Sequence, residues 1–221
     1  MVTTGVAGIG SATAVDQLPG GRFARRRPRV LAMLGMWCLA SVTYPAVAAL
    51  AAHLHPRPPA AWISPLDGLV PWVPLSLAAY LSLGPFTLLA AWSAGAASFS
   101  RLLRAALVAM AVAYALFLAV PLAMAPGPLP EDAAGRALFT ALQRADRGYN
   151  ALPSLHVAYV GVVLACRSWP WWVWAWGAAI AISTLTTRQH VLADVLGGAL
   201  LAAAAWAVAG PGRAQHGPAA T

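Results

Sequence analysis

Charged residues are rare in this chain, and the intervals between them are long enough to compare with a membrane. A helix needs about 20 residues to cross a hydrocarbon core about 30 Å thick. Charge-free apolar stretches of that order run from Val30 to Ala52, from about Leu69 to Trp92 and from about Leu102 to Met124. Three more follow closely, about Leu152 to Cys166, Trp169 to Thr187 and Val191 to Ala209, the first of them short. The pattern predicts an all-α fold: an integral membrane bundle of six transmembrane helices over residues 30–209. Small residues recur through every stretch, as close helix packing in lipid requires. Ala125 to Ala151 is the long polar interval, opening on Pro126-Gly-Pro-Leu-Pro130 and carrying Glu131, Asp132, Arg136, Arg144, Asp146 and Arg147. It is read as the main loop outside the membrane. Residues 1–29 and 210–221 have no apolar period and are read as a disordered basic arm and a disordered tail.

Composition sharpens this picture. The chain is 60% hydrophobic and 9% charged, with a mean hydropathy of +0.69. An ordinary soluble domain carries roughly 25% charged residues, so a soluble globular protein is excluded. Its basic residues are 14 arginines with no lysine, against 6 acids, for a net charge of +8. A nucleic-acid surface would gather that excess into a stripe on a polar domain. Here the arginines punctuate apolar runs, where they report topology, and no nucleic-acid partner is expected.

Six crossings put both termini on one side. With the arm in the cytoplasm, Arg22, Arg25, Arg26, Arg27, Arg29, Arg101, Arg104, Arg167 and Arg213 lie inside with one acid, Asp16. Arg57, Arg136, Arg144, Arg147 and Arg188 lie outside with Asp67, Glu131, Asp132, Asp146 and Asp194. The positive-inside rule is satisfied, which predicts a multi-pass protein of the inner (plasma) membrane with both termini cytoplasmic. The arginines before Val30 resemble a signal-peptide n-region, but the apolar run that follows is longer than an h-region of about 7–15 residues. An uncleaved first helix is expected. Cys38 and Cys166 lie in apolar runs without metal or redox spacing, and the tryptophans from Trp169 to Trp176 read as an interfacial belt.

Ionisable groups at membrane depth are costly and point to function. His156 stands at the start of the fourth stretch, in Asn150-Ala-Leu-Pro-Ser-Leu-His156, and His190 and Asp194 at the start of the sixth. The alternating topology brings both starts to the outer face. Four residues apart on a helix, His190 and Asp194 share one side, so the carboxylate can hold one imidazole nitrogen and leave the other free to attack or to carry a proton. Pro153 and Ser154 read as a helix start, Pro in the first turn and Ser able to cap or donate. A helix start offers unpaired N–H groups to a phosphate, and Arg188 adds a guanidinium fork. Two imidazoles with an anion cradle suit phosphoryl transfer without a metal.

These residues resemble the type 2 phosphatidic acid phosphatase superfamily, membrane enzymes with a six-helix core. Its second motif, Pro-Ser-Gly-His, is similar to Pro153-Ser154-Leu155-His156. Its third, Ser-Arg-x5-His-x3-Asp, is similar to Ser183-Thr184-x5-His190-x3-Asp194, with Thr in place of Arg. The run from Asp146 to Ala158 and the string Ser183-Thr-Leu-Thr-Thr-Arg-Gln-His190 look like a branch that includes inositol phosphorylceramide synthase-like proteins. The likeness extends to Leu66-Asp67-Gly-Leu-Val-Pro71-Trp-Val-Pro74 ahead of Tyr80, and covers about residues 62–200. It implies that His190 is the nucleophile that forms a phosphohistidine, that Asp194 orients it and that His156 protonates the leaving alkoxide. It implies further that Ser154 and the Leu155 amide bind the phosphoryl oxygens. The first family motif, Lys-x6-Arg-Pro, is missing from Val120 to Pro130; Arg188, with Arg147, is read as supplying the lost charge, and Asn150 joins the candidate phosphate ligands.

The expected activity is hydrolysis of a lipid phosphate at the extracytoplasmic face, with no cofactor. Transfer of the phosphoryl-bearing group to a lipid or inositol alcohol is the alternative, and a non-catalytic phospholipid-binding protein is a third. A metal site on His156, His190 and Asp194 lacks a His-Glu-x-x-His pair or a carboxylate cluster, and no metal is expected.

Overall fold

A computed structural model describes residues 21–61, 63–122, 124, 127–146 and 148–211, with the side chains of 21–25, 145 and 146 not described. Every regular element among them is helical. The order is α1 (Gly21–Leu54), short 3-10 turns at Pro65–Leu69 and Pro74–Ser76, α2 (Leu77–Leu81), α3 (Leu83–Ser93), α4 (Ala96–Ala119), α5 (Ala133–Asp146), α6 (Leu155–Ala165), α7 (Trp171–Thr186) and α8 (Leu192–Val208).

Helix α6 forms the centre. It is apolar all round, as a fully enclosed helix must be, and buries Leu155, Val157, Ala158, Tyr159, Val160, Val162 and Val163 against α3, α4, α7 and α8. Outer helices instead expose apolar side chains, among them Leu31, Leu39 and Val42 of α1, Ile182 of α7 and Leu196, Leu200 and Val208 of α8. Lipid, not water, suits such a surface. Helices α6 and α8 approach closely because glycine permits it: a Cβ on Gly161 would lie 2.6 Å from Ala202 Cβ, and one on Gly198 2.5 Å from the Ser154 carbonyl oxygen.

Among the described residues, three segments are long and apolar enough to cross a membrane: Arg26–Leu54, Pro74–Ser93 and Ala96–Ala119. The second is broken at Ser82, whose hydroxyl donates to Ala79 O at 2.6 Å and accepts the Trp176 indole N–H at 2.8 Å. The fourth expected span is short: α6 has 11 residues, about 16 Å at 1.5 Å per residue. That is about half the thickness of a hydrocarbon core of about 30 Å. Two boundaries differ from the sequence reading. Helix α1 begins at Gly21, within the arm expected to be structureless, and the polar interval after α4 contains the amphipathic helix α5, whose Phe139 is buried against Leu77 and Tyr80.

Four of the arginines assigned to the inner side, Arg29, Arg101, Arg104 and Arg167, gather at one end of the bundle. Arg29 and Arg167 donate to Ala94 O and Ser93 O at the end of α3. Arg101 and Arg104 donate to Trp206 O and Ala209 O at the end of α8. Cations at helix C-termini meet the negative end of the dipole. His156 and His190 lie at the opposite end.

Candidate active site

The start of α6 is assembled by α8. Ser154 is the N-cap residue, and its amide donates to Asp194 O at 3.0 Å. Pro153 precedes the cap, after a cis peptide bond from Leu152, and so stands one step before the expected first-turn position. The Ser154 side chain does not cap. Its hydroxyl is buried without a hydrogen-bond partner, an arrangement that costs free energy unless something else occupies the site. First-turn amides, that of Leu155 among them, have no intrahelical acceptor.

His190 is delivered by a turn wrapped around the end of α7. The amides of Gln189 and His190 both donate to Thr184 O, at 3.1 and 3.0 Å, and Arg188 adopts the left-handed conformation with φ 57°. That region is uncommon for a side chain larger than glycine. The guanidinium helps to fix it there, donating to Asp67 O at 2.9 Å and to Val70 O at 2.6 Å. Two of its five donors thus clamp a backbone turn, while the side chain also lines a cavity with His190.

His190 Nδ1 lies 3.3 Å from Asp194 Oδ2, and the same oxygen accepts the Val191 amide at 3.0 Å. His190 and Asp194 are 4% and 1% exposed. With Nδ1–H directed to the carboxylate, Nε2 is the nitrogen left for chemistry. The ring centroids of His156 and His190 are 6.5 Å apart. Tyr80 stacks on His156, with ring centroids 3.9 Å apart and planes at 25°. The chain thus brings together His156, His190, Asp194, Ser154 and Arg188, drawn from two distant segments. Asn150 is turned toward α1, with Nδ2 donating to Tyr44 O at 3.1 Å. Arg147 lies outside the described residues.

Two cavities flank the histidines. One, of about 320 Å³, is lined by His190, Arg188, Asp67 and Met124. The other, of about 510 Å³, is lined by His156 and Tyr80 with aromatic residues of α1, α4 and α6. Among the described residues no group of three metal-ligating side chains occurs.

Asp67 and Tyr80 carry no role in the sequence reading, although an acid beside an apolar stretch is itself a signal. Asp67 is 4% exposed. Oδ1 accepts the Leu192 amide at 2.7 Å, which anchors the start of α8, and Oδ2 accepts the amide and hydroxyl of Ser64 at 2.7 and 2.8 Å. Burial pushes its carboxyl pKa up, but those hydrogen bonds, from Leu192 first, and the Arg188 charge outweigh it and hold the group below its ordinary value. A carboxyl lowered on folding adds stability above its unfolded value, near 3.9, and loses it as pH falls through the folded value. Asp67→Asn should therefore cost about 2 kcal/mol at pH 7, the scale of a buried hydrogen bond to a charged group. The difference from the parent chain should shrink as pH falls below about 4. Thermal unfolding in detergent across that range measures it, and a pH-independent difference would assign the loss to packing.

A family model described as the PAP2 superfamily matches residues 73–208, well over half of the chain. The match carries a function of phosphatase or phosphotransferase type and a phosphate-bearing substrate. Neither the comparison with curated proteins nor that with solved structures gives a match.

Proposed function

The chain belongs to the PAP2 superfamily, and on that premise we propose that it is a membrane-embedded lipid phosphate phosphatase that works through a phosphohistidine, without a metal, at the extracytoplasmic face. The observation that carries this reading is the pairing of an Asp194-held His190 with a second imidazole, His156, across a gap of 6.5 Å between ring centroids. In the first step His190 Nε2 forms a bond to phosphorus as the ester P–O bond breaks, and His156 gives its proton to the departing alkoxide. In the second step water attacks phosphorus, His156 takes its proton and the N–P bond breaks, releasing phosphate. The free Ser154 hydroxyl and the Leu155 amide are placed to hold the phosphoryl oxygens at the start of α6, where the helix dipole favours negative charge. Arg188 completes the cradle with the donors its carbonyl clamp leaves over.

Radiolabelled lipid phosphate presented to the purified protein tests the reading. Labelled inorganic phosphate is expected, insensitive to EDTA, with a base-stable, acid-labile label on the protein. A new labelled lipid would assign the phosphotransferase reaction, which shares the first step, and binding without turnover would overturn the enzyme reading. Arg188→Ala should raise KM and lower kcat, reducing kcat/KM about 10- to 100-fold, the worth of a charge-assisted hydrogen bond. Lost thermal stability with unchanged kinetics would confine Arg188 to clamping the turn.

A further inference from the structure

We infer that the cavity of about 510 Å³ beside His156 holds the apolar chain of the leaving alcohol, entered sideways from the bilayer, and that Gly84 sets its width. The inference rests on His156 as proton donor to the leaving group. The atom that receives that proton is bonded to the alcohol's carbon, so the alcohol must lie on the His156 side of phosphorus, away from His190. The larger cavity is on that side.

Its walls suit hydrocarbon. Helix α1 supplies Trp37 and Tyr44, and α6 supplies Tyr159 next to His156. The polar tip of Trp37 is occupied, donating to Thr87 Oγ1 at 2.8 Å, and its ring meets Tyr159 edge-on at 6.1 Å. The opening lies between α1 and the α2–α3 segment: Ser41 on one side is exposed and Leu81 on the other is 50% exposed. Both belong to segments long and apolar enough to span the membrane, so the opening faces acyl chains. The α1 wall lies outside the family match over 73–208. Gly84 lines the cavity from α3, and a Cβ built there meets no atom within 4 Å. A larger side chain at 84 extends into open space and fills the cavity.

The test uses the full chain in detergent with a long-chain alkyl phosphate, para-nitrophenyl phosphate and the non-hydrolysable hexadecylphosphonate. With Gly84→Leu, kcat/KM for the long-chain ester should fall at least tenfold relative to that for the aryl ester, and the phosphonate Kd should rise about tenfold. Ser41→Phe, at the rim, should act in the same direction. Gly35→Leu, at an exposed position of α1 with no atom within 4 Å of an added Cβ, should leave the selectivity as in the parent. Unchanged selectivity and phosphonate affinity in both cavity variants, with size-exclusion profiles and Tm showing them folded, would overturn the proposal. If the parent turns over neither ester, the phosphatase reading fails and the phosphonate decides the cavity: weaker binding by Gly84→Leu sustains it, and unchanged binding overturns it.

Discussion

His190→Ala is expected to abolish turnover of every phosphate ester while the bundle stays folded. The nucleophile is lost outright, and no second imidazole takes its place, because the His156 ring is held in a stack with Tyr80. Folding should survive because the charge left behind is not orphaned. Asp194 Oδ2 still accepts the Val191 amide, so the first turn of α8 keeps its cap. His156→Ala should behave differently. Removing a general acid costs typically 10²–10⁴-fold, but only where the leaving group needs a proton. An alkyl phosphate should suffer the full loss, whereas an aryl phosphate, whose phenolate departs unaided, should still phosphorylate His190. Water then lacks its base, so the label should remain on the protein longer than in the parent. Release of phosphate from an alkyl phosphate at the parental rate by both variants, with folding confirmed by circular dichroism, would remove the two-histidine mechanism.

That contrast depends on residues of very different legibility. His190 and Asp194 declare themselves through helical spacing, and Ser154 and His156 through a helix start followed by an ionisable group. Each is a local pattern, readable over a few residues. The roles of Asp67 and Tyr80 are tertiary: Asp67 bonds the Leu192 amide 125 residues away, and Tyr80 reaches the His156 ring from α2, a short helix packed against α7. Hydropathy is blind to the break at Ser82, since the stretch from Leu77 to Ser93 contains no charge; the signal present is Gly84-Pro85, which falls in the first turn of α3. Helix α5 is hidden for the opposite reason. Its amphipathic period sits among charges and behind a proline-rich lead, and its one deep anchor, Phe139, gains meaning only from Leu77 and Tyr80 across the fold. Arg188 is legible as a charge near the site but not as a clamp, because its partners are backbone carbonyls, which carry no sequence signature.

The tertiary link most exposed to a small change is the α6–α8 contact, and Gly198→Ala should reduce kcat about hundredfold while costing at most about 2 kcal/mol of stability. A Cβ at 198 would lie 2.5 Å from Ser154 O and 2.9 Å from Val157 Cβ. Ser154 O cannot swing aside, since it accepts the Ala158 amide at 3.0 Å, and the Ser154 amide is itself bonded to Asp194 O at 3.0 Å. The start of α6 must therefore move as a unit, taking the Ser154 hydroxyl and His156 away from His190 and Asp194. Overpacking costs about 1–3 kcal/mol, while replacing a helical glycine by alanine returns roughly 0.8–1 kcal/mol, so the net loss of stability is at most about 2 kcal/mol. Catalysis has no such offset, because a misplacement of about 1 Å is worth on the order of 10²-fold. Gly35→Ala, with open space around the added methyl, should keep parental kcat. Kinetics and Tm measured on the two variants separate the effects, and a fully active Gly198→Ala would mean that the α6–α8 contact does not set the distance between the histidines.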